Sequence, residues 1–194
     1  MKKIATLLVL VCLGTGLYAQ GLSGGIKAGL NLSNQTLKSD DFTASPSFLP
    51  TYHAGVYLTF MFSEKLGLQP EILLSGQGFK DGDTKIKLSY IAVPVMVRFN
   101  VNKVLSFHAG PQVGLLASAK ADFNGDKIDV KDGYKGVDFG VGLGTTVDLP
   151  MGLNFTARFI QGLSNVAETD DDDDYTVKNY ALQVSVGYTL FGRE

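Results

Sequence analysis

His53 and His108 are the only imidazoles in the chain, so acid–base or nucleophilic chemistry would run through one of them. Ser106 lies two residues before His108, and in a strand the two side chains share a face. Counting antiparallel neighbours across short turns puts Arg98 beside them and Asp148 on the next strand. A serine, a histidine and a carboxylate on one face could form a hydrolase-like cluster. The same residues also make a plug of hydrogen bonds and ion pairs. Their place near the short-turn end of the strands, away from a lipid or substrate surface, favours the plug, so no catalytic residue is expected. His53 has no partner visible in the sequence. Glu168, Asp170, Asp171, Asp172, Asp173 and Asp174 put six carboxylates within seven residues. Carboxylate oxygens suit Ca²⁺. A self-repelling run on a loop has no preset geometry and loses conformational entropy on gathering round an ion, so weak binding is the most it predicts. Asp122-Phe-Asn124-Gly-Asp126 resembles the start of a calcium loop but has Lys127 at the sixth position and no closing Glu, and reads as a turn. The Gly-x-Gly-x-Gly at 140–144 lies within a strand and opens no helix, which excludes a nucleotide fingerprint. No cofactor is expected.

The elements that hold these residues begin after an address. Lys2 and Lys3 precede a short apolar run, Thr6 to Leu13, and Ala19 supplies a small residue. The pattern predicts a secretory signal peptide over 1–19, cleaved after Ala19; the run is too short to span a membrane as a helix. Cys12, the only cysteine, lies inside it, so the remaining domain, 20–194, can form no disulfide. The chain is 45% apolar and 19% charged with a net charge of −2, which excludes disorder and gives no basic excess for nucleic acid.

From Gly25 onward the sequence reads at period two. Eight segments alternate: Gly25–Ser33, Tyr52–Phe62, Leu66–Phe79, Ile86–Val101, Val104–Ala119, Gly136–Leu149, Gly152–Gly162 and Tyr180–Phe191. Short turns (63–65, 102–103, 150–151) alternate with longer connections (34–51, 120–135, 164–179) and one modest one (80–85). Strands of about 11 residues tilted about 45° match the apolar band of an outer-membrane barrel, with short turns periplasmic and long loops external. The expected fold is all-β: an eight-stranded antiparallel transmembrane β-barrel, an up-and-down meander.

A soluble barrel also alternates, with its apolar face inside. The polar face decides against it, being mostly Gly, Ser, Thr, Asn and Gln. Its charges are three of each sign, Lys27, Arg98 and Arg158 against Glu71, Asp138 and Asp148. A sparse, balanced set suits a narrow lumen where each buried charge needs a partner. With His108 these residues form the expected lumen network, in which Glu71 and Arg98 are expected to pair. Tyr52, Phe62, Phe99, Phe107, Phe155, Tyr180 and Tyr188 are expected in the interfacial girdle. Ser89 and Ser118 are placed on the lumen face. Pro70, Pro94 and Pro111 interrupt ladders and are expected to mark bulges.

Gly25-Ile-Lys-Ala-Gly-Leu-Asn-Leu-Ser33, Leu68-Gln-Pro-Glu71, Tyr90-Ile-Ala-Val-Pro94, Gly110-Pro-Gln-Val-Gly114 and Tyr180-Ala-Leu-Gln-Val-Ser-Val-Gly-Tyr188-Thr-Leu-Phe191 together resemble the PorT-like outer-membrane β-barrel family over nearly the whole mature chain. The resemblance implies an eight-stranded barrel in a Gram-negative outer membrane, most members having no defined activity. The usual aromatic last residue is displaced, since Gly-Arg-Glu194 follows Phe191. Expected partners are outer-membrane lipid and lipopolysaccharide, the outer-membrane assembly machinery and an unidentified envelope protein. Eight strands leave a lumen filled by side chains. The expected role is structural or loop-mediated interaction, with a narrow or gated channel as the alternative and a barrel-embedded hydrolase third.

Overall fold

The computed structural model describes residues 21–39, 43–44, 46–123, 126–168 and 175–192. The signal segment 1–19 and the aspartates 170–174 lie outside the described residues. One antiparallel sheet contains β1 (Leu22–Ser39), β2 (Thr43–Ala44), β3 (Ser47–Met61), β4 (Leu66–Asp81), β5 (Thr84–Asn100), β6 (Leu105–Phe123), β7 (Asp126–Asp129), β8 (Val137–Asp148), β9 (Leu153–Gly162) and β10 (Tyr175–Phe191). Eight of these follow one another round a ring, β1-β3-β4-β5-β6-β8-β9-β10, and β10 pairs back onto β1 from Gly24↔Phe191 to Ser39↔Tyr175. Closure satisfies both edges that an open sheet would expose. β2 and β7 are short strands added to β1 and β6 where these project beyond the ring.

The faces are arranged opposite to those of a water-soluble barrel. Asn31 and Glu71 are 0% and 1% exposed, whereas Leu30 and Tyr52 are 66% and 71% exposed. Water would penalise such a wall of Leu, Val and Phe, while a hydrocarbon solvent favours it. All seven aromatics expected in the girdle stand on the outer wall. Near the external end Tyr180 meets Phe48 edge to face at 5.8 Å.

Short turns close one end. Ser63 Oγ accepts the Lys65 and Leu66 backbone N–H groups, and Asn102 Oδ1 accepts those of Val104 and Leu105. The third turn is a single 3-10 turn, Pro150–Gly152, in which Met151 and Gly152 take φ of 75° and 88°.

At the other end the structure departs from the sequence reading. β1 continues to Ser39 rather than stopping at Ser33, and β10 starts at Tyr175 rather than Tyr180. Ser33, Asn34, Gln35 and Asn179 are polar yet buried, so no apolar alternation marks these extensions. The prolines mark no bulges. The register is unchanged across them, as Pro70↔Val95 and Leu73↔Ala92 show on one strand pair and Pro94↔Gln112 and Val97↔Ala109 on the next. The one shift between β5 and β6 falls at Ser89/Tyr90, opposite Ala117. Leu116 and Ala119 therefore both face inward although three positions apart. Ser118 is turned outward, and its partner Ser89 is also on the outer wall, so neither serine lines the lumen as expected.

Candidate functional site: the barrel interior

Glu71 on β4 is the centre of the interior. Arg158 reaches it from β9 with two hydrogen bonds, Nη1 to Oε2 at 3.0 Å and Nη2 to Oε1 at 2.7 Å. β4 and β9 are four strands apart in either direction round the ring, so this bidentate pair spans the full diameter. Lys27 Nζ on β1 donates to Glu71 Oε1 at 3.1 Å, and Gln69 Nε2 adds another bond at 2.8 Å. Arg158 Nε donates to His108 Nε2 at 3.0 Å, fixing the proton of that ring on Nδ1. Two cations on one carboxylate leave a positive charge; the Tyr57 ring face lies 5.8 Å from Lys27 Nζ and offsets part of it. Gly144 makes this packing possible, because a Cβ there would lie 2.6 Å from His108 Nε2. Of the glycines at 140–144, only Gly144 makes room for a polar ring; a Cβ at Gly142 would meet Ile160 and Met96, and one at Gly140 the Gln161 backbone.

A second link crosses the diameter nearer the external end, where Asn179 on β10 donates to the Tyr90 hydroxyl on β5 at 3.3 Å and to Asp138 Oδ2 at 2.9 Å. Asp138 also accepts from Ser164 at 2.8 Å, so its charge is held by neutral donors and stands apart from the Glu71 group. Arg98 pairs with Asp148 at the periplasmic rim and also donates to Gln69 Oε1 and Asn100 Oδ1. The expected Glu71–Arg98 pair is therefore absent. Glu71 takes its cations from β1 and β9, and Arg98 touches the group only through Gln69.

The hydrolase-like cluster does not assemble. Ser106 Oγ donates to the Thr146 carbonyl at 3.4 Å, and the His108 lone pair is occupied by Arg158. His53, which had no visible partner, has two: Nδ1 lies 2.6 Å from Asn31 Oδ1 and Nε2 lies 2.8 Å from Ser185 Oγ. With Nδ1 as donor, the Ser185 hydroxyl donates to Nε2, the order used in acyl transfer. Ser185, His53 and Asn31 are 3%, 1% and 0% exposed, so no acyl substrate reaches the hydroxyl and the trio acts as a brace. These contacts depend on closure of the ring, which sets β10 two strands from β3 and β9 opposite β4.

Above the polar interior sits an apolar cap. Leu88, Tyr90, Leu116 and Ala119 cluster with Ile86, Val130 and Tyr134 at the mouth, while Val166, Ala167 and Val177 cluster with Leu37 and the same Tyr134. Tyr134 bridges to Ala167, and Lys135 N–H to Val166 O (2.9 Å) and Glu168 N–H to Gly133 O (3.0 Å) tie the two external segments together. Burial pushes the Tyr134 phenol pKa up. Of the acidic run only Glu168 is described, and among the described residues no group of three or more metal-ligating side chains converges.

An apolar belt outside, a polar interior and a ring with no free edge define a transmembrane β-barrel of the small eight-stranded class. The chain belongs to the outer membrane protein beta-barrel domain family, whose model matches residues 18–168, and its place is the cell outer membrane, embedded in lipid. It is similar in fold to Ail, the attachment invasion locus protein of Yersinia pestis. That match has 16% identity and a TM-score of 0.51, covering 88% of this chain and 99% of that one. Neisserial surface protein A matches at 15% identity and a TM-score of 0.56, covering 87% of this chain and 98% of that one. No curated protein matches the sequence.

Proposed function

We propose that the protein is a closed outer-membrane barrel whose work is done at its external face, not a pore and not an enzyme. The observation that carries this reading is the pair of diametric links, Arg158–Glu71 and Asn179–Tyr90, with side chains almost fully buried at two levels of the lumen. The cap built on Tyr134 then supplies an ordered surface for an envelope partner. The seven residues of the lumen network, Lys27, Glu71, Arg98, His108, Asp138, Asp148 and Arg158, serve closure and stability. The PorT-like resemblance supports the same assignment, since its motifs fall on β1, β4, β5, β6 and β10. The chain enters the envelope by a leader cleaved after Ala19, and the assembly machinery reads β10 although the chain continues past Phe191.

Two experiments test the reading. Liposomes containing the folded protein should swell in small sugars no faster than empty ones; rapid swelling would support the channel alternative. A strain in which residues 126–136 are replaced by a two-residue turn should show the same envelope phenotype as deletion of the gene. A normal phenotype in that strain would reject an external-face role.

A further inference from the structure

The outer wall changes character abruptly at one place. The row Leu74–Ile91–Leu115–Val137 is the last apolar row on four neighbouring strands. Two residues further up stands the pair Ser89–Ser118, two further Lys87–Lys120, and two further still Lys85–Asp122–Lys127. A pocket opens here on the outside of the barrel, lined by Lys87, Ser89, Ser118, Lys120, Asp122 and Lys127. The bulge at Ala117 builds it, because it turns Ser118 and Lys120 outward while Ala119 and Ala121 face the lumen at 0% and 1% exposure. β7 completes it by bringing Lys127 against Asp122. Three lysines and one carboxylate leave the lining with a charge of +2. Lys87 and Asp122 approach to 3.7 Å; beside the lining, Lys85 stands opposite Asp122 and Asp129 opposite Lys120, which adds one charge of each sign.

We propose that this pocket docks the phosphorylated sugar headgroup of a glycolipid in the outer leaflet. The inference rests on the outward orientation of the long loops in the proposed function. The Lys87–Lys120 row lies four residues beyond the last apolar row, about 13 Å along strands tilted by about 40°, hence about 10 Å above the hydrocarbon edge. That height falls in the polar headgroup zone, and flexible lysine stems can bend toward a phosphate at or below it. The serine hydroxyls beneath offer hydrogen bonds to the same oxygens, and the apolar row under them contacts the acyl chains. A soluble anion would use the lysines alone; a lipid uses the lysines, the hydroxyls and the wall together.

The test uses the mature protein folded in zwitterionic detergent and native mass spectrometry of bound lipid A. Phosphorylated lipid A should bind, and fully dephosphorylated lipid A should bind far more weakly. Each of Lys87→Gln, Lys120→Gln and Lys127→Gln should weaken the phosphorylated form about fivefold, and the triple variant about 100-fold, as expected for about 1 kcal/mol per basic residue at a lipid surface. Lys65→Gln with Lys103→Gln, at the short-turn end, should change nothing. Heat-modifiable gel mobility of the triple variant shows that the barrel is intact. Equal binding of the two lipid forms, or an unaffected triple variant, would overturn the proposal. Inorganic phosphate competing at the lipid's own concentration would overturn it in favour of a free-anion site. Micelle binding does not depend on which end faces outward, so failure here is distinct from failure of the orientation.

Discussion

Around Glu71 the interior is stabilised by charged hydrogen bonds, and around Tyr134 by apolar contact. The two regions lie one above the other in the same barrel; the first is almost fully buried, and the second is buried beneath a half-exposed Tyr134. Glu71, Lys27 and Arg158 came out of water as charges, and their mutual attraction offsets a desolvation cost of several kcal/mol per ion. Leu88, Tyr90, Val166 and Val177 incur no such cost, and each contributes in proportion to the apolar area covered. The mid-lumen group is consequently all-or-none, because removing one member strands the others. The cap can lose contacts by degrees. The difference also separates their tasks: the polar group crosses the ring and holds it shut, whereas the cap ties two external segments to each other.

The largest expected effect breaks the polar region. Glu71→Ala leaves Lys27 and Arg158 buried without their acceptor and should cost about 3–5 kcal/mol, read as a lower urea midpoint for the protein refolded in detergent. Replacing Glu71 and Arg158 together by Leu and Met should recover part of that loss, although Lys27 remains unpaired. A double variant no better than Glu71→Ala would show that the Arg158 pair is not the source of the cost.

Tyr134→Ala should be milder, about 1–3 kcal/mol, because the ring is only half-buried and its neighbours can close up. The loss should be local. Hydrogen exchange should accelerate at 130–136 and 163–168 while β3 and β4 stay protected. Acceleration throughout the barrel would mean that the cap and the ring are one cooperative unit.

Arg98→Ala removes an ion pair that is partly open to water, the Asp148 carboxylate being 31% exposed, and should cost about 0.5–1 kcal/mol. Combined with Glu71→Ala it should be nearly additive, since Gln69 alone connects the two. A coupling above about 1 kcal/mol would restore the direct pairing expected from the sequence.

The smallest effect is one of pH. The phenol of Tyr134 ionises less readily in the folded cap than its ordinary value of 10.0. Above about pH 10 the opened segment releases that proton and the closed one retains it, so closure weakens as pH rises beyond that point. Exchange at 130–136, corrected for its intrinsic pH dependence, should rise there in the wild type and not in Tyr134→Phe.

The ring was legible because its physics is local to each strand. Ile26, Ala28 and Leu30 alternate with Lys27, Gly29 and Asn31, and the scarcity of charge on the second set shows which side is enclosed. The same alternation led to one expected network of seven residues, which the structure divides into the Glu71 group, Asp138 with its neutral donors, and the Arg98–Asp148 pair. The pairing of Glu71 was not legible, because Arg98 is the sequence neighbour of the Glu71 strand while Arg158 is its neighbour only through the closed ring. The strand extensions to Ser39 and from Tyr175 were hidden by side chains polar on both faces. The bulge at Ala117 left no mark, since Ala-Ser-Ala fits either face, and it alone sends Lys120 outward. His53 was unreadable until Ser185 came within reach across two strands.

Conductance across a planar bilayer tests the closed lumen most directly. With two sets of side chains bridging the diameter, the wild-type protein should give no stable current steps at moderate voltage, while the Glu71→Ala/Arg158→Ala variant, with the bridge removed, should give brief small ones. Steady ohmic steps from the wild type, unchanged in that variant, would show that ions bypass the Glu71 group and that the barrel is an open pore.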